Sequence, residues 1–332
     1  MSNASSSTAA SLVHAPRRGS VRNLPVNLFG SVMGLAGLAM AWRQATSQFG
    51  APQVVGEVIG AVAVLVFVVL ALAYASKLVR HPASVAAEFA HPVAGNFFGT
   101  MVIAVLLVST LVQPYSAALA RITWAVGAIA AFALSVVVVA RLLRGDGDPA
   151  HAVPAWLIPG VATLDIAVAG SAMPMAWAPE LNWAAMGVGT ALALVLFTLV
   201  FQRLVQRQPL APPLVPSLMV LVAPFSVGFL AYTGITGRVD RFASVLFYFA
   251  LFVFLVLAPK VFRRGVPFGP GWWAISFPIA ALSNAALRYA ATHPAWPLQA
   301  IAVAILLFLS AALAVLAIRT LRIALNGELL AG

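Results

Sequence analysis

The sequence predicts an all-α membrane protein of ten transmembrane helices arranged as five helical hairpins. Three observations carry this prediction. Hydrophobic residues make up 62% of the 332 positions and charged residues 8%, whereas an ordinary soluble domain carries about 25% charged residues; mean hydropathy is +1.01. Apolar runs of roughly 17 to 25 residues, the length that crosses hydrocarbon, recur from residue 24 to near the end. Lysine and arginine alternate between the two sets of connections in the way that spanning helices require. The formal net charge of +11 therefore reflects topology and does not point to nucleic acid. With no cysteine in the chain, disulfides, thiolate metal sites and cysteine nucleophiles are excluded.

Residues 1–23 are small, polar and basic at their end, and read as a disordered tail. No apolar segment within them precedes a cleavage site, so they do not read as a targeting peptide. The membrane domain then covers 24–322, with spans centred on 24–43, 56–77, 94–112, 118–141, 155–173, 183–203, 214–234, 242–260, 270–290 and 298–320. A short cytoplasmic tail, 323–332, follows. The N-terminal tail, the connections after even spans and the C-terminal end hold fourteen basic residues, among them Arg17, Arg18, Lys77, Arg80, Arg141, Arg144, Lys260, Arg263 and Arg264. The opposite side holds five: Arg43, Arg121, Arg238, Arg241 and Arg288. Basic residues collect on the cytoplasmic side. Both termini are thus expected in the cytoplasm.

A second alternation separates the spans by shape. Spans 5, 7 and 9 carry Pro159, Pro216 with Pro224, and Pro278, while span 1 carries Gly30, Gly34 and Gly37. The even spans read as straight, branched strings without internal proline. Kinked or glycine-rich helices belong where backbone meets backbone or water. The odd helices are accordingly expected to form an inner ring and the even ones an outer ring. No convincing sequence repeat links the hairpins.

The stretch Phe268–Ala291 concentrates the functional argument. Pro278 cannot donate to the carbonyl of Ala274, so a kink is expected in mid-span, and a broken helix in lipid is tolerated mainly against protein or a watery cavity. That places Phe277 on the inside. An aromatic aimed into a cavity from a deformable backbone is a physical candidate for a plug; ordinary packing is the alternative, and apolar groups usually fill cores. Gly30, Gly34 and Gly37 allow close approach of a neighbouring helix, and the same small residues leave room for a pore. Asp165 is read as the only acid inside a span. A carboxylate at mid-membrane costs roughly 2.5 to 3.5 kcal/mol, so it should face a cavity or a partner. It either titrates and couples protons to substrate, or is a neutral structural aspartate.

The basic connections suit a vestibule that concentrates anions, and equally suit anchoring to lipid phosphates. Trp156, Trp177, Trp183, Trp272, Trp273 and Trp296 read as interfacial belt residues. No histidine pair has metal-ligand spacing, and no nucleophile, phosphate-binding or dinucleotide motif is present. Neither a metal, a cofactor nor enzymatic activity is expected.

Five collinear stretches carry a family resemblance: LPVNLFGSVMGLAGLAMAWR in span 1, AEFAHPVAGNFF entering span 3, PAWLIPGVATLDIAVAG in span 5, VLVAPFSVGFLAYTG in span 7 and WWAISFPIAALSNAA in span 9. Together they resemble the tellurite-resistance/dicarboxylate transporter family, which includes bacterial TehA proteins and plant guard-cell slow anion channels. The resemblance implies ten helices with the odd five around a central pore, assembled as a homotrimer with one pore per subunit. It further implies that the pore is occluded by a phenylalanine of the ninth helix, which falls here on Phe277 within Trp273, Ala274, Ser276 and Phe277. Pro159, Pro224 and Pro278, with Gly30 and Gly34, are then candidate pore-lining or kink positions. The implied activity is transport of small anions, of the chloride, nitrate, sulfite, tellurite or dicarboxylate class, across a bacterial plasma (inner) membrane. A proton-coupled carrier using Asp165 is the alternative.

Overall fold

The computed structural model describes residues 20–145 and 148–330, so most of the tail expected over 1–23 lies outside the described residues. Regular structure among them is wholly helical: α1 (Phe29–Phe49), α2 (Gln53–Arg80), α3 (Pro82–Ala90), α4 (Phe98–Val112), α5 (Ala117–Leu142), α6 (Ile158–Gly170), α7 (Ala178–Gln206), α8 (Ala223–Thr236), α9 (Arg241–Val261), α10 (Ser276–Thr292) and α11 (Trp296–Leu325). Seven stretches are long and apolar enough to cross a membrane: α2, Ala94–Val112, α5, α7, Pro212–Thr236, α9 and α11. Of the ten expected spans, those of α1, α6 and α10 fall short of that measure. The reason lies in what surrounds them. α6 with its lead-in is a shorter apolar helix, Pro154–Gly170, and α10 carries Ser276, Ser283 and Asn284, all of them buried against protein. A helix wrapped by other helices has no need to be apolar all round.

α1, α4, α6, α8 and α10 touch in that order, and α10 returns to α1, closing a ring. Each following helix packs on its predecessor and on the next member of the ring: α2 on α1 and α4, α5 on α4 and α6, α7 on α6 and α8, α9 on α8 and α10, α11 on α10 and α1. Burial follows position. In the most apolar windows 61% of Ala94–Val112 and 83% of Pro212–Thr236 is buried, against 17 to 39% for α2, α5, α7, α9 and α11. The outer helices leave valine, leucine and phenylalanine exposed on their far faces, for example Val58, Leu65 and Leu72 of α2.

Every ring helix is entered through a 3-10 segment: Val26–Leu28, Ala94–Phe97, Pro154–Leu157, Pro212–Val222 and Pro270–Ile275. These segments also touch one another in ring order. Pro278 is therefore not a mid-span kink. It is the third residue of α10, while Pro159 and Pro224 are the second residues of α6 and α8. In a first turn the missing N–H costs nothing and the fixed φ suits the helix, so the prolines mark a change of helix type.

Three further expectations are corrected. α9 does contain a proline, Pro259, in its last turn. Asp165 is not the only acid within a helix of the bundle, since Glu57 lies near the start of α2, where both its oxygens take Arg43, Nε to Oε1 at 3.0 Å and Nη2 to Oε2 at 2.9 Å. Lys77 is no lipid anchor: it is 3% exposed, and its Nζ donates to the Leu24 carbonyl at 2.7 Å and to Glu88 Oε2 at 2.5 Å. Glu88 sits on α3, a helix in a region read as connection, and also accepts from Tyr74 Oη and from the Val26 backbone, each at 2.9 Å. One carboxylate thus ties α2 and α3 to the segment that opens α1.

The ring closes along α1 and α10. A Cβ on Gly34 would stand 2.5 Å from Ser276 Cβ, and one on Gly37 would stand 2.6 Å from Ala280 Cβ. Ser276 Oγ donates to the Gly30 carbonyl at 2.9 Å, and Asn284 Nδ2 to the Gly37 carbonyl at 2.8 Å. Small residues permit the approach and polar side chains lock it.

Two outcomes are expected. Gly37→Ala overpacks this seam and costs about 1 to 3 kcal/mol, read as a lower unfolding temperature in detergent; an unchanged midpoint would contradict the closeness of the helices. Glu88→Gln leaves the Lys77 ammonium buried without a counter-charge and costs about 3 kcal/mol, measured the same way.

Candidate functional site

Where the five 3-10 segments pass into α-helix, they enclose a cavity of about 30 Å³. All five ring helices contribute to its wall. Asn27, Gly30 and Met33 come from the α1 side, Phe97, Thr100 and Ile103 from α4 and its lead-in, Ile158 and Val161 from α6, Val220 and Ala223 from α8 and its lead-in, and Trp273, Phe277 and Pro278 from α10 and its lead-in. Space of this size holds one or two water molecules. A hydrated ion does not fit.

Local sequence explains the constriction. A 3-10 helix is narrower than an α-helix, so five of them in a ring approach more closely than five α-helices would. Phe277 is the second residue of α10, and helical side chains lean toward the N-terminus. Its ring is accordingly carried back into the space between the 3-10 segments, where it is 6% exposed.

The wall is almost wholly apolar. Its polar groups are Asn27, whose buried Oδ1 has no partner, and Thr100, whose hydroxyl donates to Phe97 O at 2.6 Å and Val26 O at 3.2 Å. No acidic side chain borders the cavity, and at each junction the first α-helical N–H bonds back into the 3-10 lead-in, as Ser276 N–H does to the Trp273 carbonyl.

The sequence-derived candidates divide cleanly. Phe277, Pro278 and Gly30 meet at the cavity, whereas Gly34, Pro159 and Pro224 stand beside it without forming its wall. Gly34 belongs to the α1–α10 contact, and the Pro159 carbonyl accepts from Thr163 Oγ1 at 3.1 Å. Asp165 follows Ile158 and Val161 at a spacing of seven and four, on the same stripe of α6 and one turn deeper. It is 1% exposed, and its Oδ2 has no hydrogen-bond partner. On α10 the equivalent stripe runs Phe277, Ala281, Asn284, Arg288. Among the described residues the ion pairs are Arg43–Glu57 and Lys77–Glu88, so neither Asp165 nor Arg288 has one.

Sequence reasoning missed Asn27 and Thr100, and misplaced Trp273. Trp273 is no belt residue: it is 3% exposed and donates to Thr320 Oγ1 of α11 at 2.9 Å. A signal for the arrangement was present. A proline, Pro25, Pro92, Pro154, Pro212 or Pro270, precedes every ring helix within a few residues or opens its lead-in.

Comparison with known proteins accords with this geometry. The tellurite resistance protein TehA homolog of Haemophilus influenzae is 29% identical over 273 residues, covering 80% of this chain and 81% of that protein. The guard cell S-type anion channel SLAC1 of Arabidopsis thaliana is 27% identical over 309 residues, which is 90% of this chain and 55% of the plant protein. An uncharacterized transporter, MJ0762, of Methanocaldococcus jannaschii is 24% identical over 283 residues, or 78% and 82% of the two chains. The family model described as voltage-dependent anion channel, SLAC1, matches residues 23–321. Nearly the whole described chain lies within that match, and the chain belongs to the SLAC1 voltage-dependent anion channel family.

Proposed function

We propose that the chain is a transmembrane anion channel or transporter in which all ten long helices cross the bilayer as five hairpins. The inner helices α1, α4, α6, α8 and α10 surround a conduit, and Phe277 occludes it. The observation that carries this reading is the small apolar cavity bordered by all five ring helices with Phe277 in its wall. An anion passing through must shed water, and polar backbone near Pro224 and Pro278 replaces part of that hydration. Opening requires a rotamer change of Phe277 or a small displacement of α10.

The distribution of lysine and arginine supports both termini on the cytoplasmic side of a bacterial plasma membrane. The proposal includes a homotrimer with one conduit per subunit, for which the family likeness is the sole support. The transported species falls within the small inorganic anions and organic acids; the TehA homolog's name points to tellurite and the plant relatives' names to anions generally.

A second reading, proton-coupled carriage of a dicarboxylate, sulfite or tellurite, draws on Asp165. A buried carboxyl with an unpartnered oxygen on the stripe that leads out of the cavity is placed to take up and release a proton. The two readings separate in one assay on proteoliposomes.

Phe277→Ala is expected to raise anion conductance of the purified protein in planar bilayers at least tenfold over the wild type; unchanged current from a folded, inserted variant would reject the occlusion. Asp165→Asn is expected to leave voltage-driven anion flux intact if the chain is a channel. Loss of uptake driven by a pH gradient in that variant would instead establish the coupled carrier.

A further inference from the structure

A second cleft, of about 1120 Å³, lies outside the ring between the C-terminal ends of α5 and α7. Its wall has two chemistries. Toward the middle of the helices it is apolar, with Val137 and Val138 of α5 facing Leu196 and Leu199 of α7. At the helix ends it is basic, with Arg141 and Arg144 on one side and Arg203 and Arg207 on the other. Asp148 is the one acid among the described residues of the wall, and its Oδ1 is occupied by the Ala150 N–H at 2.8 Å. His91 and His151 complete the polar rim.

Two donors in this cleft are buried and unsatisfied: Trp156 Nε1 and Arg203 Nη1. Buried donors without acceptors are rare, because each loses its water without compensation. Both donors demand an acceptor, and Arg203 demands a negative one. Arg141 is already committed, with Nη1 on the Phe89 carbonyl at 2.7 Å and its guanidinium over the Phe89 ring. Arg203 keeps only a long contact from Nε to the Ala150 carbonyl, 3.4 Å.

We propose that the cleft binds an anionic phospholipid. A small turn of the partly exposed Arg203 and Trp156 side chains brings Nη1 and Nε1 onto its phosphate, under the wider charge of Arg144 and Arg207, and its acyl chains lie along Val137 and Leu199. A free phosphate would satisfy the donors and leave the apolar wall uncovered. A second copy of the chain would cover that wall, but the whole sequence has only eight acids, and Glu57 and Glu88 are held in ion pairs. Clustered arginine beside an apolar membrane surface is the general chemistry of anionic headgroup recognition. The inference rests on α5 and α7 lying in a bilayer, and it is independent of the occlusion by Phe277. Trp156 belongs to the lead-in of α6, two residues before Ile158 of the central cavity, so the lipid touches the segment that builds that wall.

The test is native mass spectrometry of the full chain in detergent with equimolar phosphatidylglycerol and phosphatidylcholine. Wild type should retain phosphatidylglycerol about tenfold over phosphatidylcholine, because both carry the phosphate but only choline sets a cation against Arg144, Arg203 and Arg207. The preference should vanish in R203Q/R207Q, and W156F, which keeps an aromatic ring and removes only the donor, should lower retention of both lipids, so that a folding defect in the double variant does not decide the result. Equal retention of the two lipids by wild type would overturn the proposal. So would a rise in unfolding temperature with millimolar inorganic phosphate equal to that with phosphatidylglycerol, which would assign the site to a soluble anion. Efficient disulfide cross-linking between copies of Q202C, in a chain that has no other cysteine, would assign the cleft to a subunit interface.

Discussion

The contact between α1 and α10 holds the molecule in its shape. These helices stand near opposite ends of the sequence, and only their meeting turns a row of packed helices into a closed ring. Lipid tails are as apolar as leucine, so a bilayer supplies no hydrophobic drive for two helices to associate. The drive must come from packing and from interhelical hydrogen bonds. Gly34 and Gly37 remove the side chains that would hold Ser276 and Ala280 away. Ser276 and Asn284 then reach carbonyls of α1, and Gln44 Nε2 reaches Asn284 Oδ1 at 2.6 Å. Were the ring open, these groups and the unpartnered carboxyl of Asp165 would face hydrocarbon.

Closure also explains the constriction. Once the helices are fixed in a ring, the width of the space between them depends on the radius of each element at that level. The 3-10 lead-ins narrow the ring at one end, and in α6, α8 and α10 a first-turn proline, Pro159, Pro224 or Pro278, lacks the N–H that would bond the carbonyl four residues back in the lead-in. Phe277 enters the remaining space from the first turn of α10. The wall left by this geometry is apolar and borders no acidic side chain.

Much of this was legible in the sequence because membrane spans announce themselves. The outer helices read directly, as with VLVFVVLALAYA of α2 and LFYFALFVFLVL of α9, since one flank faces lipid and nothing polar is tolerated there. Four of the five inner helices, α1, α6, α8 and α10, show themselves through proline or glycine, yet the prolines have a different meaning from the one the sequence suggests. Pro278 looked like a break in mid-span because hydropathy does not distinguish a 3-10 turn from an α-helical one. Lys77 was legible as a basic residue at a helix end and not as the partner of Glu88, because that pairing depends on α3 folding back, and a nine-residue helix carries little periodic signal. Trp273 illustrates the same limit. A tryptophan near a span end normally marks the interface, and only the tertiary position of Thr320 and Gly30 draws it inward.

The most direct test of the central claim asks whether removing one aromatic ring connects the two sides of the cavity. The chain has no native cysteine, so a single Ala281→Cys substitution reports access one turn beyond Phe277 on the same face of α10. A negatively charged, membrane-impermeant thiol reagent is added from the side of the 3-10 lead-ins. The account predicts slow modification with Phe277 present and modification at least tenfold faster in the Phe277→Ala background. Equal rates in the two backgrounds would contradict it.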